Sequence, residues 1–60
     1  MKEYKYTAYL ENGNETKLVD RYFSMQLSDE QLAYLDKELN KLYPEHRLVK
    51  YTLEIRDVKD

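Results

Sequence analysis

Residues 27–44, LSDEQLAYLDKELNKLYP, decide the fold of this 60-residue chain. Ser28 is a favourable N-cap, and Gln31 three residues later completes the pattern of a capping box. Leucines then recur at helical spacing, at Leu32, Leu35, Leu39 and Leu42. The helix is expected to end at Tyr43, because the residue before a proline is disfavoured in α conformation. The stretch therefore predicts one amphipathic helix, α1.

Three segments around the helix alternate apolar and polar residues with a period of two, which is typical of strands. They are Lys2–Leu10 (β1), Thr16–Gln26 (β2) and Leu48–Val58 (β3). The turn between the first two contains an Asn-Gly pair, a strong hairpin signal because both residues tolerate positive φ. The helix returns the chain along the sheet, so β3 should run parallel to β2 and antiparallel to β1. We predict an α+β fold of order ββαβ, in which one helix packs on a three-stranded antiparallel sheet of order β2-β1-β3.

One helix can cover only one face of such a sheet. The face expected beneath the leucines carries Tyr4, Tyr6, Ala8, Leu10, Val19, Phe23, Met25, Val49, Tyr51, Leu53 and Ile55. The opposite face carries Tyr9, Leu18, Tyr22 and Leu48 among polar residues. A small sheet with a partly apolar open face favours association with a second copy.

Composition limits the classes of protein to which the chain can belong. Sixty residues predict a single domain, 1–60, which on its own would bury only about 60% of its unfolded surface. The chain has no cysteine, so no disulfide can staple it. A net charge of −2 gives no strong field toward nucleic acid or membranes. No apolar run is long enough for a transmembrane segment or a signal peptide, which favours a cytoplasmic setting.

Few residues offer catalytic or metal-binding chemistry. The only histidine, His46, follows Pro44 and is expected to be a solvated turn residue. No glycine-rich loop is present to hold a phosphate. The acids at adjacent or alternate positions of the helix are expected to cap its start or to face solvent. We therefore predict no enzymatic activity, no cofactor and no metal site.

The basic residues of β3 leave nucleic-acid binding open as an alternative function. Arg47, Lys50 and Arg56 could line β3, with Tyr9 or Tyr22 as stacking partners on the open face. Such a patch would suit a small nucleic-acid-binding protein. The acidic balance of the chain argues against it, because neutralising several phosphates requires clustered bases.

The helix flank points instead to protein binding. Ala33 and Tyr34 lie beside the leucine stripe, next to the acids Asp29, Glu30 and Asp36. A small residue and a tyrosine among carboxylates can form a contact surface that takes an apolar side chain between acidic rims. The alternative is that both residues pack at the periphery of the core.

Several short motifs together resemble a known family. They are the strand Tyr4–Leu10 (YKYTAYL), the polar turn Glu11–Glu15, and Leu27-Ser28-Asp29 followed by Tyr34. In this order and without a gap, they look like the short uracil-DNA glycosylase inhibitors of Bacillus-infecting phages. The resemblance covers roughly residues 4 to 58.

This resemblance implies a function and a mechanism. Members of the family are homodimers with a three-stranded antiparallel sheet and one helix, and they bind the host glycosylase in its DNA-binding cleft. An apolar pocket at the dimer's helices captures the leucine that the enzyme inserts into the minor groove, while acidic side chains stand in for phosphates. The resemblance thus implies a partial DNA mimic that blocks uracil excision in the host cytoplasm without binding nucleic acid itself.

The resemblance and the helix flank together give a set of expected partner-binding residues. Ser28, Asp29 and Tyr34 match the family's helix start, and Asp20 keeps an acid on β2. The full set is Asp20, Ser28, Asp29, Glu30, Gln31, Ala33 and Tyr34. The family carries an aromatic residue where this chain has Glu30, so either Tyr34 or another apolar residue of the flank contacts the trapped leucine, or the interface differs from that of the family. The alternative is a phage-encoded binding module directed against another host factor, a defence nuclease or a polymerase, on the same scaffold.

Overall fold

The computed structural model describes residues 1–59 and has the predicted order of elements. The elements are β1 (Lys2–Asn12), β2 (Glu15–Phe23), α1 (Asp29–Leu42) and β3 (Arg47–Asp57). The central strand β1 pairs antiparallel with both neighbours, which gives the sheet order β2-β1-β3. The ββαβ fold and its strand order are confirmed.

The hairpin between β1 and β2 turns one residue later than an Asn-Gly turn would. Asn12 pairs with Glu15, so the two turn residues are Gly13 and Asn14. Gly13 has a φ of +59°, and no non-glycine residue in the described chain has a positive φ. Glycine at the first turn position with negative φ at the second is the pattern of a type II′ turn. Because Asn12 stays in the ladder, β1 is two residues longer than predicted.

Both ends of the helix follow local rules. The Ser28 hydroxyl accepts a hydrogen bond from the Gln31 amide at 3.3 Å, and the Ser28 amide donates to Gln31 Oε1 at 2.9 Å. The predicted capping box is therefore present. At the other end the Tyr43 amide donates to the Leu39 carbonyl at 2.8 Å, and Pro44 follows.

The core lies between the helix and the middle of the sheet. Its fully buried cluster consists of Ala8, Leu10, Val19, Leu35 and Leu39. The half-buried side chains Phe23, Leu27, Tyr43, Leu48 and Tyr51 pack around this cluster. Leu42 was expected in the stripe but is exposed. It is the last helical residue, and its side chain lines a surface groove on the flank that carries Tyr34.

A β-bulge near the start of β3 reverses the expected faces of two residues. Lys50 lies opposite Tyr9 and Leu48 lies opposite Leu10, so Val49 is an extra residue in the ladder. An extra residue shifts the alternation by one position. Leu48, predicted on the open face, therefore packs against the core, whereas Val49, predicted beneath the helix, is exposed.

The segment after β2 is a connector rather than more strand. β2 ends at Phe23, so Met25 lies outside the sheet and is exposed, contrary to the prediction. The Tyr6 hydroxyl accepts a 2.8 Å hydrogen bond from the Leu27 amide, and the Tyr6 ring meets Phe23 edge-on at a centroid distance of 5.7 Å. This bond draws the connector across the sheet, which is incompatible with strand continuing to Gln26.

The helix covers only part of its face of the sheet. Its 14 residues span about 21 Å, whereas the 11 residues of β3 span about 36 Å. Leu53 and Ile55 lie on the helix side of β3, opposite Tyr6 and Tyr4, yet they are 39% and 51% exposed. The prediction that the helix buries them is wrong because α1 does not extend that far. No helix in residues 1–59 has the length and apolarity needed to cross a membrane.

Candidate protein-binding site

A largely apolar depression lies between α1, the end of β2 and the connector that follows β2. Its volume is about 480 Å³. Its apolar lining consists of Phe23, Met25, Leu27, Tyr34 and Leu35. Its polar lining consists of Arg21, Ser24, Gln31 and Glu38. We call this depression the connector groove. A lining of this kind accepts an apolar side chain and offers a carboxylate at its edge.

Tyr34 is the one aromatic residue of α1. It is 67% exposed. Together with Glu38 it also lines a second groove, of about 350 Å³, formed by Lys37, Lys41 and Leu42. An exposed tyrosine between two grooves combines a rigid apolar ring with a hydroxyl that can bond to a partner, which is typical of residues that dominate protein interfaces.

The structure brings together only part of the predicted set. Gln31 and Tyr34 line the connector groove. Asp29, Glu30 and Ala33 are exposed on the helix but do not belong to the groove lining in the described chain. Ala33 and Tyr34 project about 100° apart, because successive helical residues are separated by that angle. They therefore do not share one flank as expected.

Ser28 and Gln31 already have a structural role. Their side chains bond to each other's backbone amides in the capping box. Asp29 and Glu30 occupy the first turn of α1, where their negative charges interact favourably with the positive end of the helix dipole. Helix formation alone thus accounts for the Leu-Ser-Asp start and its acids.

Asp20 lies away from the other predicted site residues. It pairs with Thr7 in the ladder, on the sheet face opposite the helix. The Thr7 hydroxyl donates to the Asp20 carboxylate at 2.7 Å, and Lys5 Nζ lies 4.0 Å from it. Asp20 therefore belongs to the open face and cannot contribute to a surface on α1.

Cross-strand charge pairs cover much of the open face beside its apolar residues. Arg56 forms an ion pair with Glu3, and this hydrogen bond and charge raise the pKa of Arg56. A second pair joins Arg47 to Glu11 at 3.7 Å.

The basic residues of β3 are thus all partnered within the sheet, since the Lys50 ammonium lies 4.7 Å from the centre of the Tyr9 ring. Arg47, Lys50 and Arg56 do not form the free basic patch that a nucleic-acid-binding protein would need. Of the open-face apolar residues predicted, Leu18 and Tyr22 are exposed, and both lie on β2.

His46 is not the solvated turn residue that the sequence suggested. Its side chain is only 13% exposed, and its ring meets Tyr43 edge-on at 6.0 Å. Its Nε2 lies 3.6 Å from the carboxylate of Glu15, at the start of β2. The ring therefore holds the loop between α1 and β3 against the end of the sheet at which the β1–β2 hairpin turns. Within residues 1–59, histidine, aspartate and glutamate side chains do not converge in threes as a metal site would require.

Apart from Gln31 and Tyr34, the residues of the groove were absent from the predicted site, among them Glu38 and Met25. Glu38 is four residues after Tyr34, so helical spacing alone would have placed it on the same flank. Met25 had no such signal, because the alternation of β2 continues through it in the sequence and hides the end of the strand.

The chain was compared with protein-family models, with curated proteins and with solved structures, and none of these comparisons gave a match.

Proposed function

We propose that this protein is a phage inhibitor of a host uracil-DNA glycosylase, acting in the host cytoplasm by binding the enzyme rather than its DNA. Two things support the proposal. The three-stranded antiparallel sheet with one helix is the fold that the resemblance implies. The exposed ring of Tyr34 beside an apolar groove is the observation on which the binding site depends.

The mechanism follows from the chemistry of the helix surface. The enzyme presents a leucine that it normally inserts into the minor groove, and the connector groove offers that side chain Met25, Leu27 and the Tyr34 ring. Glu38 at the groove edge and Glu30, which lies four residues before Tyr34 on the same side of the helix, face the basic cleft where phosphates would otherwise lie. Occupying the leucine and the phosphate contacts together excludes DNA, so uracil stays in place.

Asp20 has no part in this mechanism, because it lies on the opposite face of the sheet. Ser28 and Gln31 contribute by fixing the start of the helix. The proposed contact residues are thus Glu30, Tyr34 and Glu38, together with the apolar lining of the groove. Asp29 is left out, because it projects about 140° away from Tyr34 around the helix. In keeping with the resemblance, the active species is a homodimer.

The test is a uracil-release assay with a Bacillus glycosylase on uracil-containing DNA. Stoichiometric protein should stop cleavage, and Tyr34→Ala should raise the concentration for half-inhibition about 30-fold, the loss of one interface hot spot of about 2 kcal/mol. Tyr22→Ala is the matched control, because Tyr22 is 54% exposed on the other face of the sheet. It should inhibit like the unchanged protein.

The possible outcomes separate the alternatives. Undiminished uracil release in excess protein would reject the glycosylase as the target and leave the same helix surface for another host factor. Equal losses in the Tyr34 and Tyr22 variants would reject the connector groove as the contact site. If inhibition came from DNA coating, a gel shift at low salt would show the protein on DNA that carries no enzyme.

A further inference from the structure

Arg21 is a half-buried cation that lines the connector groove from β2. It lies opposite Tyr6 in the ladder, on the helix side of the sheet. Its Nη1 donates to the neighbouring Asp20 carbonyl at 3.0 Å, and within residues 1–59 it forms no ion pair. A guanidinium carries five N–H donors. Most donors of Arg21 therefore have no acceptor in the described chain.

The other basic side chains of the strands differ from Arg21 in this respect. Those that contact an acid or an aromatic ring are Lys5, Lys17, Arg47, Lys50 and Arg56. Lys2 has no such contact in the described chain, but it is exposed at the first residue of β1. A half-buried cation beside an apolar groove is costly to leave without an acceptor, so a ligand of the groove is expected to supply one.

Glu38 is a second charge of the same groove without an ionic partner. It is exposed on α1 and forms no ion pair within residues 1–59. Arg21 and Glu38 thus line one groove from two different elements and do not pair with each other. The groove presents a cation on its sheet side, an anion on its helix side and apolar side chains in its lining.

From these two charges we infer that the partner segment bound in the connector groove is bipolar, with an acidic and a basic residue on either side of an apolar one. Its carboxylate binds Arg21, and its basic side chain pairs with Glu38. The inference rests on the proposed function, because it takes this groove as the contact site, and it deepens that function by naming the chemistry of the bound segment. Arg21 adds the requirement for an acid.

Two further lining residues strengthen the preference for a carboxylate. Ser24 brings a hydroxyl from the connector. The side-chain oxygen of Gln31 accepts the Ser28 amide at 2.9 Å, which leaves the NH₂ group of Gln31 as a donor. Donors from β2, the connector and the start of α1 therefore line the groove together, and hydrogen bonds from such groups to a carboxylate are stronger than those to a neutral acceptor.

The length of the groove along the helix sets the spacing of the bound charges. Glu38 follows Gln31 by seven residues, which is about 10.5 Å along the helix axis. In an extended segment, alternate residues point to the same side and lie about 7 Å apart. An acidic, an apolar and a basic residue at alternate positions would thus all face the groove and span about 13 Å.

Segments of other charge suit the groove less well. An acidic segment without a base would bring a like charge to Glu38, and a basic segment without an acid would bring one to Arg21. Like charges set against each other across an interface oppose binding. A wholly apolar segment would displace water from Arg21 without giving its donors an acceptor. The bipolar segment alone satisfies both charges.

Short peptides with blocked ends test this preference directly. The bipolar probe is Glu-Ser-Leu-Ser-Lys, and the acidic and basic probes carry Glu or Lys at both ends. In NMR titrations of the isotope-labelled full chain, the bipolar probe should shift the amides of Arg21, Leu27 and Tyr34 with a dissociation constant at least about fivefold below those of the other two. Equal affinity for the three probes, or no saturable shift at these amides, would overturn the proposal.

Charge reversal should switch the preference. Arg21→Glu leaves two acids in the groove, so the basic probe should become the tightest and the bipolar probe should bind about tenfold more weakly. Glu38→Lys leaves two cations, so the acidic probe should become the tightest. The matched controls Lys2→Glu and Glu45→Lys change the net charge equally at exposed positions outside the groove lining, and they should keep the bipolar preference.

Circular dichroism of each variant checks its fold. If Arg21→Glu does not fold, Glu38→Lys still decides the matter, because its position is exposed. Unchanged preferences in the folded groove variants, or the same switch in the control variants, would reject the bipolar segment.

The peptide titrations contain no glycosylase, so the inference and the proposed function can fail separately. A bipolar preference in a protein that leaves uracil release undiminished would keep the inference and reject the function. Inhibition that is equal for Arg21→Glu and the unchanged protein, without a bipolar preference among the peptides, would keep the function and overturn the inference.

Discussion

The two faces of the sheet achieve stability by different means. On the helix side, side chains of all three strands meet leucines of α1, and the fully buried residues other than Tyr6 form one cluster there. On the open side, paired charges and a cation–π contact occupy the same three strands, and no side chain of that face is fully buried. Burial of apolar surface contributes far more per residue than exposed ion pairs do.

The difference teaches which parts of this small chain tolerate change. A chain of 60 residues has about 3–9 kcal/mol of stability in total. A loss of a few kcal/mol on the helix side therefore approaches the whole, whereas a single open-face pair contributes at most about 1 kcal/mol. The open face controls solubility and the pattern of charge at the edges more than it controls folding.

The largest expected effect comes from truncating the most buried leucine. Leu39 is 2% exposed at the centre of the core, so Leu39→Ala should lower the free energy of unfolding by about 2–5 kcal/mol. The matched variant on the other face is Leu18→Ala, since Leu18 is exposed. It should change stability by less than about 0.5 kcal/mol. Urea denaturation followed by circular dichroism measures both, and similar losses would contradict the comparison.

A smaller effect is expected from one hydroxyl. Tyr6→Phe removes the acceptor of the Leu27 amide and leaves that N–H without its 2.8 Å bond, at a cost of about 1–3 kcal/mol. Tyr22→Phe removes an exposed hydroxyl from the open face and should cost almost nothing. Hydrogen exchange gives a second measurement, because the Leu27 amide should lose protection only in the Tyr6 variant. Retained protection there would show that the connector is held by other contacts.

The fold was predictable because its signals are local. The capping box, the leucine spacing and Pro44 lie within one stretch of sequence, and strand alternation depends only on near neighbours. The bulge at Val49 was not predictable in the same way, because it depends on how β3 pairs with Tyr9 and Leu10. The early end of β2 likewise depends on a bond between distant residues, Tyr6 and Leu27.

The candidate site was predicted less completely than the fold. Helical spacing correctly set Tyr34 off the leucine stripe. The same alternation that puts Val19 under the helix also puts Asp20 on the other face, so its separation from α1 could have been foreseen. The exposure of Leu53 and Ile55 could not have been foreseen in this way, because it depends on where α1 lies on the sheet.

The smallest effect sharpens the comparison, because it concerns a polar atom on the covered face. The Tyr51 hydroxyl is buried and has no hydrogen-bond partner in residues 1–59, so Tyr51→Phe should raise the free energy of unfolding by up to about 1 kcal/mol.

The pH dependence of this effect has a definite sign. Burial, and then the negative charge of Asp36, raise the pKa of Tyr51 above its ordinary value of 10.0. The folded state therefore holds this proton more tightly than the unfolded state does. The stability that depends on keeping this proton is fully present below about pH 10. It is lost as the pH rises through the higher pKa of the folded state. The advantage of Tyr51→Phe should thus widen between pH 9 and pH 11 in urea titrations. A constant difference between the Tyr51 variant and the unchanged protein over this pH range would mean that the Tyr51 hydroxyl is hydrated in the folded protein.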